Sequence, residues 1–360
     1  MNAYIEKVLR DMAPKNASDV HITSNDFLRY RIDEVLIKIG DSPVSEKQAE
    51  EYIFSLMSET QAEKFRKEKE LDFALSIEGV ARYRANVFYQ RARIGCAIRL
   101  IPDKIRSISE CGLPEEIVKA FCNKPKGLVL VTGATGSGKS TSLAAMIDYI
   151  NANRACHIVT VEDPIEYVHA NKKALIDQRE VLFDTFSFHN ALRHVLRQDP
   201  NVILIGELRD FESIQQALVI ADTGHLVLGT LHTSDAIQTM NRIIDVFPEY
   251  QQNQIRTQLS FVLLGIISQQ LIPRAGSAGR VLAAEILVAT PPVKTMIREE
   301  RGHQIYSVLQ TSKQSGMRTM NQSLAELCYK KIITFEEAVA RSTDVEEFKK
   351  LVHSMGIISK

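Results

Sequence analysis

Gly133-Ala134-Thr135-Gly136-Ser137-Gly138-Lys139-Ser140 decides how the rest of this chain is read. The octet fits G-x-x-x-x-G-K-[ST], a phosphate-binding loop. The apolar run 128–131 before it reads as a buried strand, and 141–149, rich in Ala, Leu and Met, reads as a helix. Glycines let the backbone curl so that successive N–H groups point at a phosphate, at the positive end of the following helix. On this reading Gly133, Ala134, Thr135, Gly136, Ser137, Gly138, Lys139, Ser140 and Thr141 form a cradle for the phosphates of a nucleotide. Lys139 reaches the β/γ-phosphates and the Ser140 hydroxyl holds Mg²⁺. The competing reading is a chance glycine-rich turn, and the strand and helix on either side decide against it.

Outward from the loop, composition narrows the class of protein. The 360 residues suffice for two domains with separate cores. Charged residues make up 24% and cancel to a formal net charge of zero, which disfavours nucleic acid as the main partner. Cys96, Cys111, Cys122, Cys156 and Cys328 form no C-x-x-C pair, so neither a zinc knuckle nor a disulfide framework is indicated, and a reducing cytoplasm fits. The N-terminal MNAYIEKVLRDMA carries charges through its apolar positions, unlike a secretory signal. Apolar runs such as 261–268 are too short to span a bilayer.

Tyr4, Ile5, Val8, Leu9 and Met12 predict a short amphipathic helix. Strands follow at 19–23 and 27–39, the latter a hairpin turning near Asp33-Glu34, then one or two surface helices over 45–70. Three more strands are expected at 71–77, 81–89 and 94–101, with Arg82 and Arg84 on one face of the second. Residues 1–100 thus form a small α/β domain, 101–113 read as a linker, and 114–360 as a doubly wound domain. Its strands are expected at 128–132, 157–161, 202–205 and 226–231, and its helices at 140–153, 188–197, 214–221 and 236–244. Beyond Tyr250 the pattern is mostly helical, interrupted by a hairpin around 275–279.

Phosphoryl transfer needs an anchored metal, a positioned water and cations for the developing charge. Residues 202–207 are an apolar strand ending in Glu207, a Walker B element and the second expected Mg²⁺ ligand after Ser140. The strand before it ends in Glu162, Asp163 and Glu166, and ligands of such sheets bind outside the carboxyl ends of the strands. His232 closes a strand that starts at His225. Each residue also has a plainer reading. Acids after strands cap helices, strand-end histidines make structural hydrogen bonds, and Arg82 and Arg84 could be a wet sheet face.

VEDPIEYVH (161–169), GELRD (206–210) and TGHLVLGTLHT (223–233), in this order after GATGSGKS, resemble the Asp box, Walker B and His box of the secretion ATPases. With ASDVHIT (17–23), ARYRANVFYQ (81–90), QREV (178–181) and ISQQLI (267–272), the chain is similar to the type IV pilus retraction ATPases, the PilT/PilU group. It lacks the tetracysteine motif of the pilus assembly and type II secretion ATPases. The resemblance implies a PAS-like N-terminal domain, a RecA-like P-loop ATPase domain with a helical C-terminal region, and a homo-hexameric ring. It implies Glu166 as the water-activating base, with Glu162 the alternative, Glu207 acting through Mg²⁺, His232 sensing or positioning the γ-phosphate, and His225 of the same His box among the catalytic residues. Arg82 and Arg84 would close over the nucleotide. The implied function is ATP-driven pilus retraction, as the principal motor or an accessory PilU-like one. The implied place is the cytoplasmic face of the inner membrane, peripheral to the bilayer. A pilus platform protein and a paralogous ATPase would be partners, and nucleic acid would not. A RecA-like nucleic-acid translocase is the rival, and zero net charge stands against it.

Overall fold

The structure, a computed structural model, describes residues 1–32, 35–101 and 104–356, and the expected turn at Asp33-Glu34 lies outside them. The chain divides into two compact units, Met1–Lys104 and Ile105–Lys360.

The first unit begins with helix α1 (Ala3–Arg10), capped by the Asn2 side chain and burying Ile5, Val8 and Leu9. Strands β1 (Ala17–Thr23), β2 (Asp26–Ile32) and β3 (Val35–Val44) follow, then helices α2 (Glu46–Phe54) and α3 (Glu59–Glu68). Each of these two helices starts with a capping box, Ser45 with Gln48 and Ser58 with Gln61. Strands β4 (Glu70–Ile77), β5 (Ala81–Gln90) and β6 (Arg93–Ile101) complete an antiparallel sheet of order β3-β2-β1-β6-β5-β4. In β5 buried Ala81, Tyr83, Ala85 and Val87 alternate with half-exposed residues. The period of two therefore packs one face on the helices. Tyr83 and Tyr30 are buried among apolar neighbours because each hydroxyl donates to a carbonyl of the first helical segment, Leu9 O at 2.8 Å and Val8 O at 2.6 Å.

The second unit starts before the expected boundary. Ile108 and Leu113 are buried in its core, so 105–113 is a packed part of this unit; two apolar anchors in a polar stretch suffice. After α4 (Glu115–Cys122) come β7 (Gly127–Thr132), α5 (Lys139–Asn153), β8 (His157–Glu162), β9 (Leu175–Glu180), α6 (Phe188–Val195), β10 (Val202–Ile205), α7 (Phe211–Asp222), β11 (Leu226–Leu231), α8 (Ala236–Asp245) and α9 (Glu249–Val262). The expected hairpin is formed by β12 (Leu263–Pro273) and β13 (Arg280–Val288). Its first strand pairs in parallel with β7, so the hairpin extends the nucleotide-binding sheet, whose order is β13-β12-β7-β11-β10-β8-β9. Helices α10 (Pro291–Arg298), α11 (Gly302–Thr311), α12 (Met320–Tyr329), α13 (Phe335–Arg341) and α14 (Val345–Ser354) close the unit. All residues of β7, β10 and β11 are buried, as expected of parallel strands with helices over both faces. Such strands offer side chains to solvent only at their ends. The carboxyl ends of β7, β11, β10, β8 and β9 share one edge because these strands are mutually parallel.

Candidate active site

At that edge β7 ends in Thr132, and residues 133–138 turn into the amino end of α5. Gly133 has φ +140°, and a Cβ there would lie 2.4 Å from Gln269 O and 2.6 Å from Ser137 Oγ, so only glycine lets the loop fold this tightly. Gly138 caps α5 in the left-handed region. Strand β12 supports the loop from below. Thr132 Oγ1 donates to Ser268 Oγ (2.9 Å) and Gln269 Nε2 donates to Ser142 Oγ (2.7 Å), both buried. Lys139 Nζ donates to Gly133 O at 2.7 Å and Ala134 O at 3.0 Å, which holds the ammonium within the loop. Burial lowers the Lys139 pKa, while the carboxylates of Glu207 and Glu166 pull it back up, so all three charges share one neighbourhood.

Glu207 follows β10 by two residues. Its Oε1 lies 2.5 Å from Arg209 Nε and 3.2 Å from His232 Nε2. Burial opposes its ionisation, but Arg209, His232 and Lys139 outweigh that and keep the carboxyl below its usual range. Thr230 Oγ1 donates to Gly206 O across β11 and β10, fixing the strand end that carries Glu207. Glu162, the last residue of β8, turns inward. It accepts from Thr160 Oγ1 (2.6 Å) and Gln178 Nε2 (3.3 Å), and burial pushes its carboxyl up to about 7 against those bonds. Glu166 is exposed, four residues further on.

Of the residues expected from sequence, Lys139, Glu166, Glu207 and His232 are brought together. His225 is a correction. It precedes β11, whose other end carries His232, and its Nδ1 meets Ile220 O and Thr223 Oγ1 at 3.2 Å. Seven residue steps at about 3.3 Å each put the two histidines roughly 23 Å apart, at opposite ends of the strand. Arg82 and Arg84 lie in the first unit, half-exposed on β5, and Arg84 Nε is 3.5 Å from Asp72 Oδ1. Arg209 was not singled out from sequence; its place two residues after the Walker B carboxylate was the available signal.

The cradle fits a nucleotide phosphate. Ser137 Oγ is buried inside the loop with no hydrogen-bond partner among the described residues, a donor matched by a phosphate oxygen. The Ser140 hydroxyl and the ionised Glu207 are hard oxygen donors of the kind Mg²⁺ takes.

A RecA-like sheet with this loop and these acids at its carboxyl edge defines a P-loop ATPase. The family model described as Type II/IV secretion system protein matches residues 1–340, and the chain belongs to that family. It is 44% identical over 344 residues to the type IV pilus retraction ATPase PilT of Pseudomonas aeruginosa, covering 96% of this chain and 99% of that one. It is 39% identical over 347 residues to the type IV pilus ATPase PilU of the same organism, covering 96% and 91%. A crystal structure described as the pilus retraction motor PilT with bound ADP superposes with a TM-score of 0.89 at 44% identity, covering 97% and 100%. Among the described residues no helix is long and apolar enough to cross a membrane.

Proposed function

We propose that this chain is the ATP-hydrolysing motor of type IV pilus retraction, assembled as a homo-hexamer docked at the cytoplasmic face of the inner membrane on a pilus platform protein. The similarity to a retraction ATPase over nearly both full lengths supports the role. A paralogous retraction ATPase is a further partner on this reading.

The observation that carries the chemistry is the convergence of Lys139, Glu166, Glu207 and His232 on the phosphate loop. Lys139 and the loop amides hold the β/γ-phosphates. Ser140 and Glu207 hold Mg²⁺, which neutralises phosphate charge when bound. Glu166 accepts a proton from water as the water oxygen bonds to the γ-phosphorus and the bond to ADP breaks. Glu162 suits this role less well, because its inward carboxyl is already engaged by Thr160 and Gln178. His232 senses or positions the γ-phosphate on this reading, which its 3.2 Å approach to Glu207 supports.

Glu166→Gln keeps the shape and removes the base, so ATP binding should persist while turnover falls about 10²–10⁴-fold. A piliated host carrying it should lose twitching. Parental turnover in this variant would move the base to Glu162. The nucleic-acid translocase reading predicts stimulation by DNA, so the same ATPase assay is run with and without DNA, and no stimulation is expected.

A further inference from the structure

Glu166 sits on a segment without regular structure of its own. Strand β8 stops at Glu162, and 163–169 form neither helix nor strand. A base on a free loop would wander, yet this one is pinned on both sides. Ile165 N–H donates to Glu180 Oε2 at 3.1 Å. Gln178 Nε2 donates to Tyr167 O at 2.8 Å, and His169 N–H donates to Gln178 Oε1 at 2.8 Å. Gln178 and Glu180 are two residues apart on β9, so the strand's period sends both side chains to the same face. Glu180 is 5% exposed, and its own N–H donates to Asp184 Oδ2 at 2.8 Å, which closes the turn after β9 and fixes the strand end. Tyr167 and Thr141 add a hydroxyl pair at 2.9 Å that ties the segment to α5.

We propose that Gln178 and Glu180 are positioning residues that clamp segment 163–169 and so set where the Glu166 carboxylate stands; this rests on Glu166 being the base. Neither touches the phosphate loop, which is carried by β7 and α5 and braced by β12. The clamp therefore governs the chemical step and leaves nucleotide affinity alone. Loss of one arm lets the segment shift, and a displacement of about 1 Å at a reacting group can cost roughly 10²-fold in rate.

The test uses the full chain with Gln178→Ala, Glu180→Ala, Glu180→Gln, Gln178→Glu and Glu166→Gln. Three quantities are read: ATP turnover, the Kd of a non-hydrolysable ATP analogue, and hydrogen exchange over 162–169. Both alanine variants should lose about 10–100-fold in kcat with analogue Kd unchanged. Exchange at the Ile165 and His169 amides should speed up. Glu180→Gln keeps an acceptor for the Ile165 N–H and should recover most of the turnover lost in Glu180→Ala. Gln178→Glu keeps the acceptor for His169 but loses the donor to Tyr167 O and to Glu162 Oε1, so it should be slow with normal analogue binding and fast exchange at the His169 amide; it carries the test if the alanine variants do not fold. Parental kcat in Gln178→Glu and in the alanine variants would overturn the clamp, as would equal losses of kcat and analogue binding. The two layers separate cleanly. Full activity in Glu166→Gln sinks the base assignment, whereas an inactive Glu166→Gln beside fully active clamp variants sinks the clamp alone.

Discussion

Strand β5 of the first unit buries every second side chain, whereas β7 and β11 of the second bury all of theirs. The two sheets consequently offer polar chemistry in different places. An antiparallel sheet covered on one side keeps a whole face for display, and Arg82 and Arg84 stand on it. A parallel sheet covered on both sides has no face left, so its functional groups collect at one edge, on the loops that leave the strands. That edge is where the phosphate loop, Glu162, Glu207 and His232 are found. On the face, charges meet in exposed, solvent-screened pairs such as Arg84 with Asp72. At the edge several charges act on one carboxyl: Arg209, His232 and Lys139 together keep Glu207 ionised, and Glu207 and Glu166 act back on Lys139.

The comparison is sharpest at Lys139. Lys139→Ala removes the cation that the loop carbonyls of Gly133 and Ala134 hold in place. Hydrolysis should fall below detection and nucleotide binding should weaken, measured by phosphate release and by titration with a fluorescent ATP analogue. Near-parental turnover would break the claim that the edge is the active site.

The face comes next in size. Arg84 pairs with Asp72 across an exposed gap, an interaction of small worth to stability, and a thermal melt checks that the doubly substituted chain is folded. If they close over a nucleotide, Arg82→Ala with Arg84→Ala in the full chain should cost about 10³-fold in turnover while ATP still binds. Unchanged turnover would make them a wet sheet face and nothing more.

Much of this was legible because burial on both faces writes itself as an unbroken apolar run, as in 128–131 and 202–205, and burial on one face as alternation, as in 81–88. Strand β9, LIDQRE, was not legible. It is an edge strand whose polar side chains serve neighbouring elements: Gln178 and Glu180 hold the segment after β8, and Asp177 meets His157 Nε2 at 2.9 Å. The joining of the β12–β13 hairpin to the sheet was also hidden, since pairing of β12 with β7 spans more than a hundred residues and leaves no local mark. At the site, residue types announced the loop and the acids. Which acid faces inward was decided by Thr160 and Gln178, and which histidine reaches the edge by the direction of β11.

The smallest expected effect concerns a mid-strand acid in the second sheet. Glu285 lies in mid-strand on β13, 2% exposed, among buried apolar residues. It is tolerated because it accepts the Ala236 N–H at 2.9 Å, at the start of α8, and is also bonded by the Met320 backbone. Burial pushes its carboxyl up to about 7, and the nearby Asp235 and Glu347 push the same way. The folded state therefore holds a proton that an unfolded glutamate has released. Its stabilising contribution is complete below the unfolded value and is lost as pH rises through about 7. Glu285→Gln keeps an acceptor for Ala236 and cannot ionise. Between about pH 6 and about pH 8 the parental Tm should fall more steeply than that of the variant, so their difference grows with pH. Some slope should survive in the variant, because burial raises Glu162 at the edge in the same direction. Parallel curves for parent and variant would show that Glu285 is ionised at no cost within the sheet. The contrast between a sheet interior that excludes charge and an edge that gathers it would then fail at its clearest point.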